Sequence, residues 1–251
     1  MGTDAGERKM KTPSLYLLVA ITLLTLGCAK EETDTLSTTC TTKPISPLHI
    51  VDKPISFGPN RISMTKEYIL SHYGKKVDTI EIVPKIIILH WTAEMDFEKS
   101  FQRLAPEKLL ADRADIAAAS TLNVSAHFLI DRDGTIYRLM PENWMARHVI
   151  GLNYSSIGIE NVGGKGDKAD DLTLAQRQAN IDLVFYLKGK YPSIEYLIGH
   201  HEYQEMETTP LWLEKDQGYR TQKADPGERF MSDVRKAVSS LDLKTPFKGK
   251  K

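Results

Sequence analysis

The chain has 251 residues, with 33 Lys and Arg against 33 Asp and Glu, enough for one substantial catalytic domain plus an appendage. The balanced charge and the lack of a long basic run disfavour nucleic acid as a partner. With only Cys28 and Cys40 there is no disulfide framework, so stability must come from packing.

Arg8, Lys9 and Lys11 precede an apolar run from Leu15 to Leu26. About a dozen residues are too few to span a hydrocarbon core of roughly 30 Å, but they suit the apolar region of an export signal. Residues 1–27 are therefore expected to be a signal peptide, for which Met10 is a more usual start than Met1. The run closes in Leu24-Thr25-Leu26-Gly27-Cys28, which resembles a bacterial lipobox, with Thr25 where Leu is commonest. That resemblance implies lipidation at Cys28 and a membrane anchor. Ala29 and Lys30 follow in place of an inner-membrane Asp, which points to the periplasmic face of the outer membrane if the source is Gram-negative. Residues 28–47 are rich in Thr, Ser, Lys and Glu, cannot repay the entropy of ordering, and are expected to form a flexible tether. Cys40 is an incidental residue of it. Residues 48–83 are expected to be an extension packing on the catalytic domain, 84–241 that domain, and 242–251 a basic tail.

Lys85 to His90 is a β-branched apolar run, the pattern of a strand buried on both faces, with His90 at its end. A strand over about Ala126 to Ile130 leads through Asp133-Gly134 into Thr135 to Leu139, a hairpin signal. Another strand covers about Ser156 to Val162. Thr173 and Gln176 have capping-box spacing, so a helix starts there and is expected to stop near Gly189. Tyr196 to Ile198 is a short strand ending at His200. A last helix over about Gly227 to Leu241 puts Phe230, Val234, Val238 and Leu241 on one face. This order predicts an α/β fold: a mixed, central β-sheet flanked by helices.

Four segments carry chemistry. Ile88-Leu89-His90-Trp91-Thr92, Ile157-Gly158-Ile159-Glu160, Ile198-Gly199-His200-His201 and Lys223-Ala224-Asp225-Pro226-Gly227 each deliver a metal-ligating or proton-handling side chain. Two imidazoles and a carboxylate suit one zinc ion with an open fourth position, and a further carboxylate can take a proton from water. Three strand ends at one sheet edge would gather these groups in a cleft. Taken alone, Asp225 before Pro226-Gly227 could equally cap the last helix.

From about Pro84 to Val238 the chain resembles the amidase-2 family of N-acetylmuramoyl-L-alanine amidases, relatives of peptidoglycan recognition proteins and phage amidases. The resemblance rests on Leu89-His90-Trp91-Thr92-Ala93, Val124 to Thr135, Ser156 to Glu160, Gly199-His200-His201-Glu202 and Lys223 to Gly227. It implies zinc ligands His90, His200 and Asp225, a catalytic carboxylate Glu160, a transition-state stabiliser Lys223, and a fold like that of the recognition proteins. Peptidoglycan or muropeptide is the implied partner, and a monomer is expected. His148 falls where relatives have a cleft histidine, and His127 belongs to a family pattern, so both are candidate substrate contacts; His201 is a neighbour of the ligand. His49 and His72 lie outside the motifs. Ala126 stands where phage-type members carry a catalytic Tyr, and Asp225 where they carry a Cys ligand, which points to the bacterial branch using Glu160. The interval from His201 to Gln222 is long, and its composition suggests a structured cleft wall. A non-catalytic peptidoglycan-binding module is the alternative. A zinc peptidase is disfavoured because the helical His-Glu-x-x-His signature is absent.

Overall fold

A computed structural model describes residues 48–164 and 172–246. The expected signal, Cys28 and the tether lie outside the described residues.

Six strands form one sheet: β1 (Ile50–Asp52), β2 (Ile86–Trp91), β3 (Phe128–Ile130), β4 (Ile136–Arg138), β5 (Ser156–Asn161) and β6 (Tyr196–Gly199), in the order β1-β4-β3-β5-β2-β6. The β3–β4 pair is antiparallel, the expected hairpin, and the other pairs are parallel. The expected α/β class is the fold observed.

Strand β2, paired on both sides by β5 and β6, explains the apolar run. Ile86, Ile87, Ile88 and Leu89 are wholly buried because the sheet is covered on both faces. Ile87 and Leu89 face α4 (Leu174–Lys190) and α5 (Glu228–Ala237), through Leu183, Val184, Leu187, Met231 and Val234. Ile86 and Ile88 pack with Val149, Leu152, Tyr203 and Met206. Each such side chain contributes about 1.5–3 kcal/mol on burial, so this strand is fixed in register and its end is a stable platform.

The capping box of α4 forms as the sequence predicts. Thr173 Oγ1 accepts from the Gln176 backbone at 3.0 Å, and Gln176 Oε1 accepts from the Thr173 backbone at 3.0 Å. The helix ends at Lys190, next to Gly189, as expected. Gly189 has open space around it and costs the helix only about 1 kcal/mol. Termination comes from Pro192, which disfavours helical backbone at Tyr191. The last helix is shorter than expected: α5 ends at Ala237, and a 3-10 turn, Ser239–Leu241, follows.

Residues 48–83 are more than an appendage. β1 adds a parallel edge strand to β4, α1 (Pro59–Tyr73) buries Tyr68, Ile69 and Tyr73, and Ile55 packs with Phe101 and Leu104 of α2 (Phe97–Leu104). Among the described residues no helix is long and apolar enough to cross a membrane.

Candidate active site

Because β5, β2 and β6 run parallel side by side, their carboxyl ends come to one edge of the sheet. His90 and Glu160 are register partners on β2 and β5, and His200 follows β6 directly. Parallel pairing places such partners on the same sheet face. Glu160 and His200 line one cleft of about 320 Å³, with Lys223 and Asp225 on its wall, and His90 lies buried against His200 and Asp225.

Asp225 arrives from the loop before α5, whose N-cap is Gly227 with no side-chain cap. Its carboxylate is turned away from the helix: Oδ2 lies 3.0 Å from His200 Nδ1 and 3.3 Å from His90 Nδ1. The two Nδ1 atoms are 2.9 Å apart. Three lone-pair atoms of two buried imidazoles and a buried carboxylate thus form a triangle. A tetrahedral zinc ion, bound at about 2.0–2.1 Å, holds its ligand atoms roughly 3.3 Å apart, so the donor set and spacing fit that ion.

The electrostatics agree with the geometry. Burial, then the neighbouring His200, push the His90 imidazole down to about 4 against the opposing pull of Asp225. His90 is therefore neutral near pH 7, the state that offers a lone pair to a metal. Burial alone would raise the Asp225 carboxyl, but His200 and His90 hold it well below the usual carboxylate range. His201 is no part of the triangle. Its backbone N–H and its ring Nδ1 each sit 2.9 Å from the Asp225 carbonyl oxygen, clamping the loop that carries Asp225.

Glu160 lies beside the triangle. Its Oε2 is shielded from solvent and has no hydrogen-bond partner among the described residues. Burial, then the Asp225 charge, raise its carboxyl well above the usual range, while Lys223 and Arg113 pull it down. An orphaned carboxylate oxygen in a water-accessible cleft is suited to accept a proton.

The structure separates the two candidate substrate histidines. His127 does not reach the cleft: Nε2 donates to the Trp144 carbonyl at 2.8 Å, and Nδ1 accepts from the Gly158 backbone at 3.0 Å. With its ring wholly buried and both nitrogens committed to backbone, it ties β5 to the Trp144 turn and has nothing left for a substrate. His148 does line the cleft, yet its nitrogens lie 3.0 Å from His90 Nε2 and 3.1 Å from Ser156 Oγ.

The interval 201–222 is a wall, in line with its composition. A 3-10 helix, His200–Met206, starts it. The Tyr203 hydroxyl donates to the Thr221 carbonyl at 2.8 Å and accepts from its N–H at 2.9 Å, while the ring stacks on Trp212. His72 fastens this wall to α1. Its Nδ1 lies 2.9 Å from Glu214 Oε2, and its Nε2 lies 3.0 Å from the Ala119 carbonyl. Burial would lower the His72 pKa, but the bonds to Glu214 and Ala119 raise it. His72, Tyr68 and Arg113 had no motif to mark them; only the packing of α1 and of α3 (Ala114–Ala117) against the cleft gives them a role. His49 is exposed and takes no part.

The family model described as N-acetylmuramoyl-L-alanine amidase, Amidase_2, matches residues 81–228. The chain belongs to this amidase-2 family. The match spans β2 through the Asp225 loop, and so includes every group of the triangle and Glu160. The chain is similar to the endolysin of Escherichia phage T7, 39% identical over 84 residues, which are 32% of this chain and 55% of the relative. The endolysin of Klebsiella phage KP32 is 38% identical over the same length and shares of chain. The chain spans about half the length of these curated relatives. Among solved structures it is similar to the N-acetylmuramoyl-L-alanine amidase LysC from Clostridium intestinale, at 22% identity and a TM-score of 0.45, covering 78% of this chain and 99% of that one.

Proposed function

We propose that the chain is a zinc-dependent amidase that hydrolyses the bond between the lactyl carbonyl of N-acetylmuramic acid and the nitrogen of L-Ala, in peptidoglycan or its fragments. One observation carries this reading: the triangle of His90 Nδ1, His200 Nδ1 and Asp225 Oδ2 with the unpartnered Glu160 Oε2 beside it. Membership of the amidase-2 family supplies the substrate class.

Zinc held by the three ligands would supply Lewis acidity, polarising the scissile carbonyl and acidifying water to a pKa of about 7. Glu160 takes the proton from the attacking water as its oxygen bonds to the carbonyl carbon. It then delivers that proton to the L-Ala nitrogen as the C–N bond breaks, leaving a free carboxyl on the sugar and a free amine on the peptide. Lys223, on the cleft wall, places positive charge near the developing oxyanion, where one positioned donor is worth roughly 3 kcal/mol. Arg113 and, from the 201–222 wall, Tyr219 and Thr221 also line the cleft.

The test is mass spectrometry of products from a defined muropeptide, together with zinc per chain. The reading requires one zinc and release of a peptide with a free L-Ala amine. Stoichiometric zinc and peptidoglycan binding without turnover would instead make the chain a binding module.

The same reading includes a lipid anchor at Cys28, supported by the short apolar run and the small-residue end before it. Cys28→Ser should move the protein from the membrane to the soluble fraction with its muropeptide turnover unchanged. A variant that fractionates and is processed like wild type would end the anchor proposal.

A further inference from the structure

His148 sits in the cleft, but the hydrogen-bond pattern around it points to the metal site rather than to the substrate. A carbonyl oxygen can only accept. Ser156 Oγ therefore donates its single proton to the Leu152 carbonyl at 2.9 Å. The same Oγ, 3.1 Å from His148 Nε2, is left to serve that nitrogen as an acceptor, so Nε2 carries the imidazole proton. A neutral imidazole protonated at Nε2 has a bare Nδ1. Here Nδ1 faces His90 Nε2 at 3.0 Å, so His90 donates from Nε2, and the lone pair of His90 is left on Nδ1. That is the atom in the triangle with His200 and Asp225. The opposite set of tautomers would place a proton on His90 Nδ1 and block it as a ligand.

The ring is held so that it can do this. Asn153 Oδ1 accepts from the backbone N–H groups of His148 and Val149, at 2.8 Å each. Asn153 is itself fixed through Nδ2, which donates to the Tyr73 hydroxyl at 3.1 Å. Gly158 makes the room: a Cβ there would fall 2.7 Å from the His148 ring.

We propose that His148 is a positioning residue that fixes the tautomer and orientation of the ligand His90, through the chain Leu152 carbonyl, Ser156 hydroxyl, His148 imidazole, His90 imidazole. This deepens the zinc-site reading above and rests on it. Outer partners of this kind orient a ligating imidazole and raise its basicity, and their loss typically costs 10–100-fold in metal affinity.

Two variants and one spectrum test the inference. Zinc affinity is measured by competition with a chromophoric chelator, which needs no substrate. His148→Ala removes the acceptor and should weaken zinc binding by about 10–100-fold. His148→Asn sets Oδ1 close to the place of Nδ1 and should restore most of that loss. Nitrogen-15 spectra of the histidines in the zinc-loaded wild-type chain should show His148 protonated at Nε2 and bare at Nδ1, and this reading does not depend on either variant folding. Equal zinc affinity for wild type and His148→Ala, or a His148 protonated at Nδ1, would overturn the inference while leaving the zinc reading intact. A wild-type chain that takes up no zinc would overturn the zinc reading, and the inference with it.

Discussion

Asp225→Asn should leave the chain folded and deprive it of zinc. Two roles for this residue differ in the size of their effects: losing a helix cap costs about 1 kcal/mol, whereas losing the charge of one of three protein ligands removes stoichiometric metal. The cap role has no support in the geometry, since α5 is capped at Gly227 without a side-chain bond. The fold around the residue should persist, because the Asp225 carbonyl, which the substitution does not touch, still accepts from the His201 N–H and lies beside its ring nitrogen. The expected result is a thermal midpoint close to that of the metal-free wild type, zinc far below one per chain after equimolar loading, and no detectable hydrolysis. An Asp225→Asn variant that kept one zinc and full turnover would show that Asp225 is not a ligand.

Glu160→Gln should separate chemistry from metal binding. The substitution preserves the size and the position on β5 but leaves a side chain that cannot take a proton, so zinc should stay at one per chain while hydrolysis falls by about a hundredfold to ten-thousandfold. The competing role is an ion pair holding the cleft together. Among the described residues no cation lies within ion-pair distance of Glu160, and its Oε2 has no partner, so little structure is lost with the charge. The pH profile gives a second measure. The Glu160 carboxyl is raised by burial and by Asp225, and its basic form is the one required, so wild-type activity should fall as pH drops through that raised value. The residual activity of Glu160→Gln should lack this acidic limb. Zinc lost together with activity would make Glu160 a ligand or a support of the site; hydrolysis near wild type with zinc retained would exclude it as the base.

The elements that gather the site were legible because each leaves a local signature. The run Ile86 to Leu89 has the β-branched pattern of a strand covered on both faces, the Thr173–Gln176 pair closes its own capping box, and Asp133-Gly134 turns the β3–β4 hairpin. His90, Glu160 and His200 were nominated from their residue types at strand ends and from the family motifs, and the parallel order of β5, β2 and β6 carries those ends to one edge. Short elements without a strong period were not legible. β1 has three residues and gains its stability from β4, 86 positions away at the Asp52–Arg138 pair. α1 and α3 are held by packing rather than by pattern.

The sequence by itself nominated two imidazoles and two carboxylates, at strand ends and at the turn Asp225-Pro226-Gly227, and the family resemblance added Lys223. Only the tertiary structure decided where each ring points and to whom it is bonded. His90 meets His148 across 58 positions and His200 across 110, and His72 meets Glu214 across 142. The physical reason is the range of the forces involved. Backbone propensity and apolar periodicity act over a few residues and place an element, whereas the direction of an imidazole nitrogen is set by a hydrogen bond near 3 Å whose partner can come from anywhere in the chain.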